Sequence, residues 1–359
     1  MPKDTLPSLP LSGLFAVAKP SGPTSMAIIN DIKSLINTSP LFVEQEKLDA
    51  HKEGKNEKPK RKRWKSNRDM AKIGQGGTLD PLADGVLVIG IGKGTKKLSE
   101  FLDCEYKTTC LLGCETDSYD SQGAQVRVAP WKHVTRETVE NALSAFRGQI
   151  EQTPPIFSAL KMDGIPLYEY ARSGTPLPRK IEKRPVTIHS LEVEEWLGSD
   201  HNFRYPGLVL SKEQKRALEN TLRSVQEDAR VVDEPEESGG DDRAPTAFVL
   251  RMKVSGGTYV RSVVHDLGHA VGSAAHVVTL TRSRQGRFTL EPIEAGDVGC
   301  VSWDVFKAAT EDVGPADEDG HTAWEREVID RFEVIDTSGT TGSNTKPTQS
   351  SPQPAAPST

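Results

Sequence analysis

Apolar positions along the chain fall into runs and stripes separated by long polar stretches. A run at residues 14–18 predicts a short strand stopped by Pro20, Gly22 and Pro23. Thr24 or Ser25 then caps a helix whose Ile28, Ile29, Ile32, Leu35 and Ile36 share one face. Residues 38–69 are polar and Lys-rich and read as an inserted loop. Past the Gly-rich segment 74–77, residues 86–91 form a continuous apolar run of buried-strand character, and Thr95 caps a helix expected to reach Leu102. Residues 106–112 alternate as a strand does, whereas 211–245 begin in a helix-compatible way and then turn acidic and Gly-bearing, unable to bury a core. Folding resumes with a strand at 248–254, the turn Ser255-Gly256-Gly257, and a helix lined on one side by Val263, Val264, Leu267, Ala270 and Val271 before Gly272. Residues 337–359 lack any aromatic or large aliphatic side chain and are expected to be a disordered tail. Setting aside 38–69, 197–245 and the tail leaves about 255 residues, one large domain or a domain with an appendage. No window approaches about 18 consecutive apolar residues, which excludes a spanning helix.

Composition adds less than charge placement. The 359 residues carry a net charge of -6 and are 35% hydrophobic, as expected of a mildly acidic folded unit diluted by polar segments. The first twelve residues have no charged region followed by an apolar core and no Arg, which argues against a signal peptide and a mitochondrial presequence. Four Cys without a CxxC pair are expected to be reduced thiols of an intracellular protein. The acid, however, is concentrated. Residues 225–242 carry -7 and residues 291–359 carry -10, while 47–72 carry +7. Without the two acidic stretches the balance is about +11, so nucleic acid becomes a candidate partner beside the plainer reading of solvated linkers.

Several motifs fail on inspection. Gly90-Ile91-Gly92-Lys93-Gly94-Thr95 lacks Gly at Leu87 and Ser/Thr at Gly94, so it is no P-loop, and its glycines suit a strand-to-helix turn. His265 and His269 stand at i, i+4 without the Glu a zinc hydrolase needs between them. No His sits beside a Ser or Cys in a recognisable nucleophile motif. The informative stretch is residues 72–87, KIGQGGTLDPLADGVL, where three glycines permit close backbone approach and Pro81 restrains Asp80 on a loop feeding a buried strand. Such a loop presents a carboxylate on a rigid rim, although Asp-Pro and Asp-Gly taken alone are turn punctuation.

Gly76-Gly77-Thr78-Leu79-Asp80-Pro81-Leu82-Ala83-Asp84-Gly85 resembles the catalytic motif of TruB-type tRNA pseudouridine(55) synthases, and four further segments agree in the family's order. These are Lys19-Pro20-Ser21-Gly22-Pro23-Thr24-Ser25; Tyr106-Lys107 with residues 113–120; residues 152–161 with Gly164, Tyr168 and Ala171-Arg172; and Gly257-Thr258-Tyr259-Val260-Arg261-Ser262 continuing through Leu280 and Arg282. With its insertions the chain looks most like eukaryotic, especially fungal, stand-alone members. The resemblance implies an α+β, pseudouridine synthase-like fold with a mixed, mostly antiparallel central sheet flanked by helices. It further implies a catalytic domain at residues 1–300 with a basic insertion at 38–69 and an acidic one at 197–245, then an acidic segment at 301–336.

The chemistry implied is cleavage of the uridine N1–C1′ bond, rotation of the base and rejoining through C5, with neither cofactor nor metal. Asp80 would be the nucleophile, by attack on C1′ or through a glycal, with Arg261 pairing it and Tyr106 stacking on the base. Tyr259, Leu280, Lys19, Gln75 and Lys161 would bind substrate. The partner would be the T-loop and T-arm of tRNA, with some mRNA, met by a monomer without membrane attachment, and the target base would be flipped from its stack. The run Lys58-Pro59-Lys60-Arg61-Lys62-Arg63 suits either RNA or nuclear import, so nucleus and cytoplasm are expected compartments, with the mitochondrion a third. Two residues depart from the common pattern: Gln75 replaces a His and Phe157 a Tyr. An appended RNA-binding PUA module has no counterpart in 291–336. Alternatives are a guide-RNA-dependent synthase and a tRNA-folding chaperone with dispensable catalysis.

Overall fold

The computed structural model describes residues 9–54, 70–173, 175–223, 233 and 243–335. Eight strands form the spine of its main sheet: β1 (Gly13–Lys19), β2 (Asp84–Ile91), β3 (Cys104–Leu112), β4 (Gly148–Gln152), β5 (Arg184–Gly198), β6 (Ala247–Val254), β7 (Ala275–Gln285) and β8 (Val301–Ser302). Their order across the sheet is β8-β1-β2-β7-β3-β6-β5-β4. The β8–β1 and β2–β7 pairs are parallel and the other five antiparallel, so the mixed, mostly antiparallel expectation is met.

The apolar runs become the inner strands because both their faces are covered: Val86, Leu87, Val88 and Ile89 are all fully buried. The first helix, α1 (Ser25–Ile36), starts where expected, with Thr24 Oγ1 accepting the Ala27 amide at 3.1 Å. Its isoleucine face joins Phe15, Leu87 and Ile89 in the core.

Three sequence expectations need correction. Residues 38–54 are not an unpacked loop: Leu41, Phe42 and Val43 are buried in turns, and α2 (Gln45–Gly54) follows, burying Leu48. The polar count of the segment hid this apolar cluster. The helix expected from Thr95 is instead two 3-10 turns, Gly92–Lys96 and Leu98–Phe101, whose amide of Lys97 bonds Gly94 and whose amide of Glu100 bonds Lys97. Within 197–245, the strand β5 extends to Gly198, and α3 (Lys212–Arg223) forms at the helix-compatible start. Most of the basic run, nearly all of the acidic stretch 225–242 and the tail 337–359 lie outside the described residues.

A second buried stripe, Val263, Val264 and Leu267, belongs to α4 (Val260–Ala270), which ends at Gly272 with φ of 70°. Residues 301–335, acidic as they are, fold onto β1. Helices α5 (Trp303–Glu311) and α6 (Ala323–Ile329) bury Phe306, Trp324, Val328 and Ile329 in the same core as α1. Phe42 lies 6.2 Å from Trp324 and 5.8 Å from Phe332 between ring centroids, and Ser39 Oγ donates to Glu325 at 2.5 Å.

Candidate active site

Asp80 sits on the loop entering β2, and the chain fixes that loop by bonds from its N-terminal motif. Ser25 Oγ accepts the Leu79 amide at 2.9 Å and donates to the Leu79 carbonyl at 2.8 Å. Ser21 Oγ donates to Leu82 O at 2.7 Å, and the Gly22 amide bonds Pro81 O at 2.8 Å. Lys19 completes this latch. Its side chain is buried, with Nζ 2.9 Å from Pro20 O, 2.5 Å from Ala83 O and 3.4 Å from Pro81 O. Burial lowers its ammonium to about 8 against the pull of Asp84 and Asp80. The expectation that Lys19 meets substrate is therefore corrected: its donors are spent on the Asp80 loop, and it faces neither cavity described below.

Arg261 lies in the first turn of α4, which begins directly after Tyr259. Its guanidinium, 3% exposed, donates Nε–H to Asp80 Oδ2 at 2.7 Å, Nη1–H to Ser118 O at 2.6 Å and Nη2–H to Phe157 O at 2.9 Å. Asp120 Oδ2 stands 3.8 Å from the same Nε, and burial pushes its carboxyl up, opposed by Arg261. The arrangement spends the arginine's fork on one carboxylate and two carbonyls, which aims Asp80 while leaving its side chain 31% exposed. Position 157 contributes its backbone carbonyl here, so Phe serves this contact as well as Tyr would.

Beside Asp80 lies a cavity of about 350 Å³ lined by Tyr106, Leu280, Tyr259 and Arg282, with Gly76, Gly77 and Cys104. Sheet register explains the grouping, since Tyr106 on β3 is the cross-strand partner of Arg282 on β7 and Leu280 is two residues before it on the same face. Burial pushes the Tyr106 hydroxyl up to about 12, so at neutral pH this ring is an uncharged stacking surface. Tyr259 is held by a reciprocal pair, its amide donating to Gln152 Oε1 at 2.7 Å and its carbonyl accepting Gln152 Nε2 at 3.0 Å.

Arg282 fits the family pattern, but its sequence position alone assigns it no role. It is 2% exposed, donates Nε–H to Val86 O at 2.6 Å and Nη2–H to Gly77 O at 3.1 Å, and places Nη1 3.5 Å from Tyr106 Oη. The i, i+2 spacing from Leu280 is the signal that could have found it.

Gln75 lines a second cavity of about 700 Å³ on the other side of Asp80, together with Thr78, Met26, Phe157, Tyr168 and Leu208. Its Nε2 donates to Thr78 Oγ1 at 3.2 Å. Lys161 is exposed and lines neither cavity, although Leu160 beside it lines the smaller one. Asp80, Arg261, Tyr106, Tyr259 and Leu280 are thus brought together, Gln75 is adjacent, and Lys19 and Lys161 lie off the cavities. The group best suited to a metal among the described residues, Glu115, His265 and His269, lines neither cavity.

The profile of the TruB family pseudouridylate synthase (N terminal domain) matches residues 62–206. The chain is 37% identical over 348 residues to tRNA pseudouridine synthase 4 of Schizosaccharomyces pombe, covering 82% of this chain and 83% of that one. It is 36% identical over 317 residues to tRNA pseudouridine synthase 4 of Saccharomyces cerevisiae, covering 78% of each. A solved chain of a Cbf5-Nop10-Gar1 complex overlays with a TM-score of 0.48 at 19% identity, over 93% of this chain and 64% of that one.

Proposed function

The chain belongs to the TruB family of pseudouridine synthases, and on that premise we propose that it converts uridine 55 in the T-loop of tRNA to pseudouridine with Asp80 as nucleophile. The observation that carries the reading is the Asp80–Arg261 contact of 2.7 Å at the edge of a cavity walled by Tyr106 and Leu280. The flipped uridine enters between Tyr106 and Leu280, and Asp80 drives departure of N1 from C1′. The base turns, C5 bonds C1′, the C5 proton leaves, and N1 gains one. Flipping costs a few kcal/mol, which contacts to the T-arm backbone offset.

The reading includes a monomer that acts on tRNA and on some mRNA, in nucleus and cytoplasm. The basic run 58–63 supports the nuclear part of that reading. Asp80→Asn tests the chemistry. Carbodiimide mapping of a T-loop transcript should show complete loss of pseudouridine, while tRNA affinity stays within about 3-fold of the parent because no phosphate contact is removed. Retained modification by this variant would rule out Asp80 as nucleophile, and an inactive, folded wild-type protein would rule out the activity.

A further inference from the structure

One helical turn beyond Arg261 on α4, His265 has a carboxylate on each ring nitrogen. Its Nε2 lies 3.1 Å from Glu115 Oε1 and its Nδ1 2.9 Å from Asp266 Oδ1. A neutral imidazole has one N–H and can donate to only one of them; two such contacts require the imidazolium. Glu115 is buried, and its second oxygen also accepts His269 Nε2 at 3.1 Å and Arg127 Nε at 3.2 Å. The Tyr119 ring stacks on the His265 ring at 3.9 Å between centroids, with 22° between planes. Tyr119 also has φ of 63°, a left-handed conformation that an aromatic residue keeps only when its surroundings hold it there. Its two neighbours are the groups that hold Arg261: the Ser118 carbonyl at 2.6 Å from Nη1 and the Asp120 carboxylate at 3.8 Å from Nε.

We propose that protonated His265 is a positioning residue for the reaction: by stacking on Tyr119 it keeps residues 118–120 in the shape that presents Ser118 and Asp120 to Arg261, and so holds Arg261 against Asp80. The catalytic half of this inference rests on the reading of Asp80 as nucleophile; the coupling of His265 to Arg261 does not. The groups facing His265 are Glu115, Asp266, His269 and Tyr119, with Arg127 behind them on Glu115. Burial pulls its imidazolium down, but the Glu115 and Asp266 carboxylates raise it further, to about 9. The same Glu and two His place ligand atoms within 4.8 Å of one another, a set zinc could take. Beside the Arg127 cation on the shared carboxylate a divalent ion would add two charges, whereas the imidazolium adds one.

The test uses full-length protein with ¹⁵N-labelled His and Arg. His265 should show both ring nitrogens protonated at neutral pH and titrate near 9, and the Arg261 Nε resonance should move with it. His265→Gln should shift that Arg261 resonance at all pH values. It should also slow single-turnover pseudouridine formation about 10-fold at saturating tRNA, leave the Kd for tRNA unchanged, and remove the inflection near 9 from the alkaline limb of the rate profile. If the variant does not fold, the wild-type titration alone decides. A neutral His265 at pH 7, an Arg261 resonance indifferent to it, one bound equivalent of zinc in purified protein, or a wild-type rate in the folded variant would each overturn the inference. A wild-type protein that shows the coupling but modifies no tRNA would instead overturn the proposed function.

Discussion

Lys19 shows what a motif match can and cannot convey about a single residue. The family pattern marks the position, but a basic residue in an RNA-modifying protein reads as a phosphate contact until its burial is known. The placement of Asp80, Arg261 and Tyr106 about one site is legible because it needs only a named side chain in a named motif. Lys19 and Arg282 depend on neighbours distant in sequence, the carbonyls of Pro81, Ala83, Val86 and Gly77. The corrected role makes a signed prediction. Lys19 is lowered from 10.5 to about 8 on folding, so between those pH values the unfolded chain binds more protons. In that window this group makes folding more favourable as pH rises, by up to about 3 kcal/mol, while the latch on the Asp80 loop loses its charge. Against Lys19→Met, thermal melts should show wild-type relative stability climbing from pH 8 to 10.5, and wild-type turnover should fall through a step near 8 that the variant lacks. A stability difference flat with pH would return Lys19 to the solvent-facing role.

At the scale of elements, α4 is legible as an amphipathic helix because its period is local, but Gly268 within it looks like a weakness. A Cβ at Gly268 would stand 2.6 Å from the Ala275 amide nitrogen and 2.8 Å from the Ala274 carbonyl carbon. The glycine is what lets α4 lie on the start of β7, and that contact sets the height of Arg261 and His265 relative to the sheet. Gly268→Ala gains helix propensity of about 1 kcal/mol and should nonetheless lose about 1–3 kcal/mol net, because the clash is with backbone. Calorimetry should show a lower Tm, with turnover falling more than the folded fraction does; an unchanged or higher Tm would mean the helix can shift freely. Sheet order is not legible in the same way. The parallel β2–β7 pair joins residues nearly two hundred positions apart, as Gly85 with Arg282, and no local period encodes such a partner. The 3-10 turns after β2 escape for a related reason: buried Leu98 and half-buried Phe101 fix the chain there, and tertiary contacts outweigh the capping signal at Thr95.

Charge dominates the view of the whole molecule, and it misleads where it is averaged over segments that fold. Residues 301–335 are acidic on their surface, yet Phe306, Trp324 and Phe332 meet Phe15 and Phe42 beneath it. The aromatic side chains are visible in the sequence, but the acid count outweighs them, since helices of nine and seven residues can be strongly charged and still bury one stripe. The same contacts decide how the basic region must be tested. Deleting residues 38–69 would remove Leu41, Phe42, Val43 and Leu48 from the core and confound RNA affinity with stability. The cluster Lys58, Lys60, Arg61, Lys62 and Arg63 shares no residue with that apolar group, so the charge can be changed while those four side chains are kept. Replacing these five by Ser should leave the Tm unchanged, weaken tRNA binding, and reduce the slope of log K against log salt by about 0.7–0.9 for each phosphate the cluster neutralises. Isomerisation at saturating tRNA should stay at the parental rate, since Asp80 and Arg261 are held by other segments. An unchanged salt slope would assign the cluster to a role outside substrate binding. The remaining positive balance of the folded part would then have to supply the electrostatic attraction for the T-arm by itself.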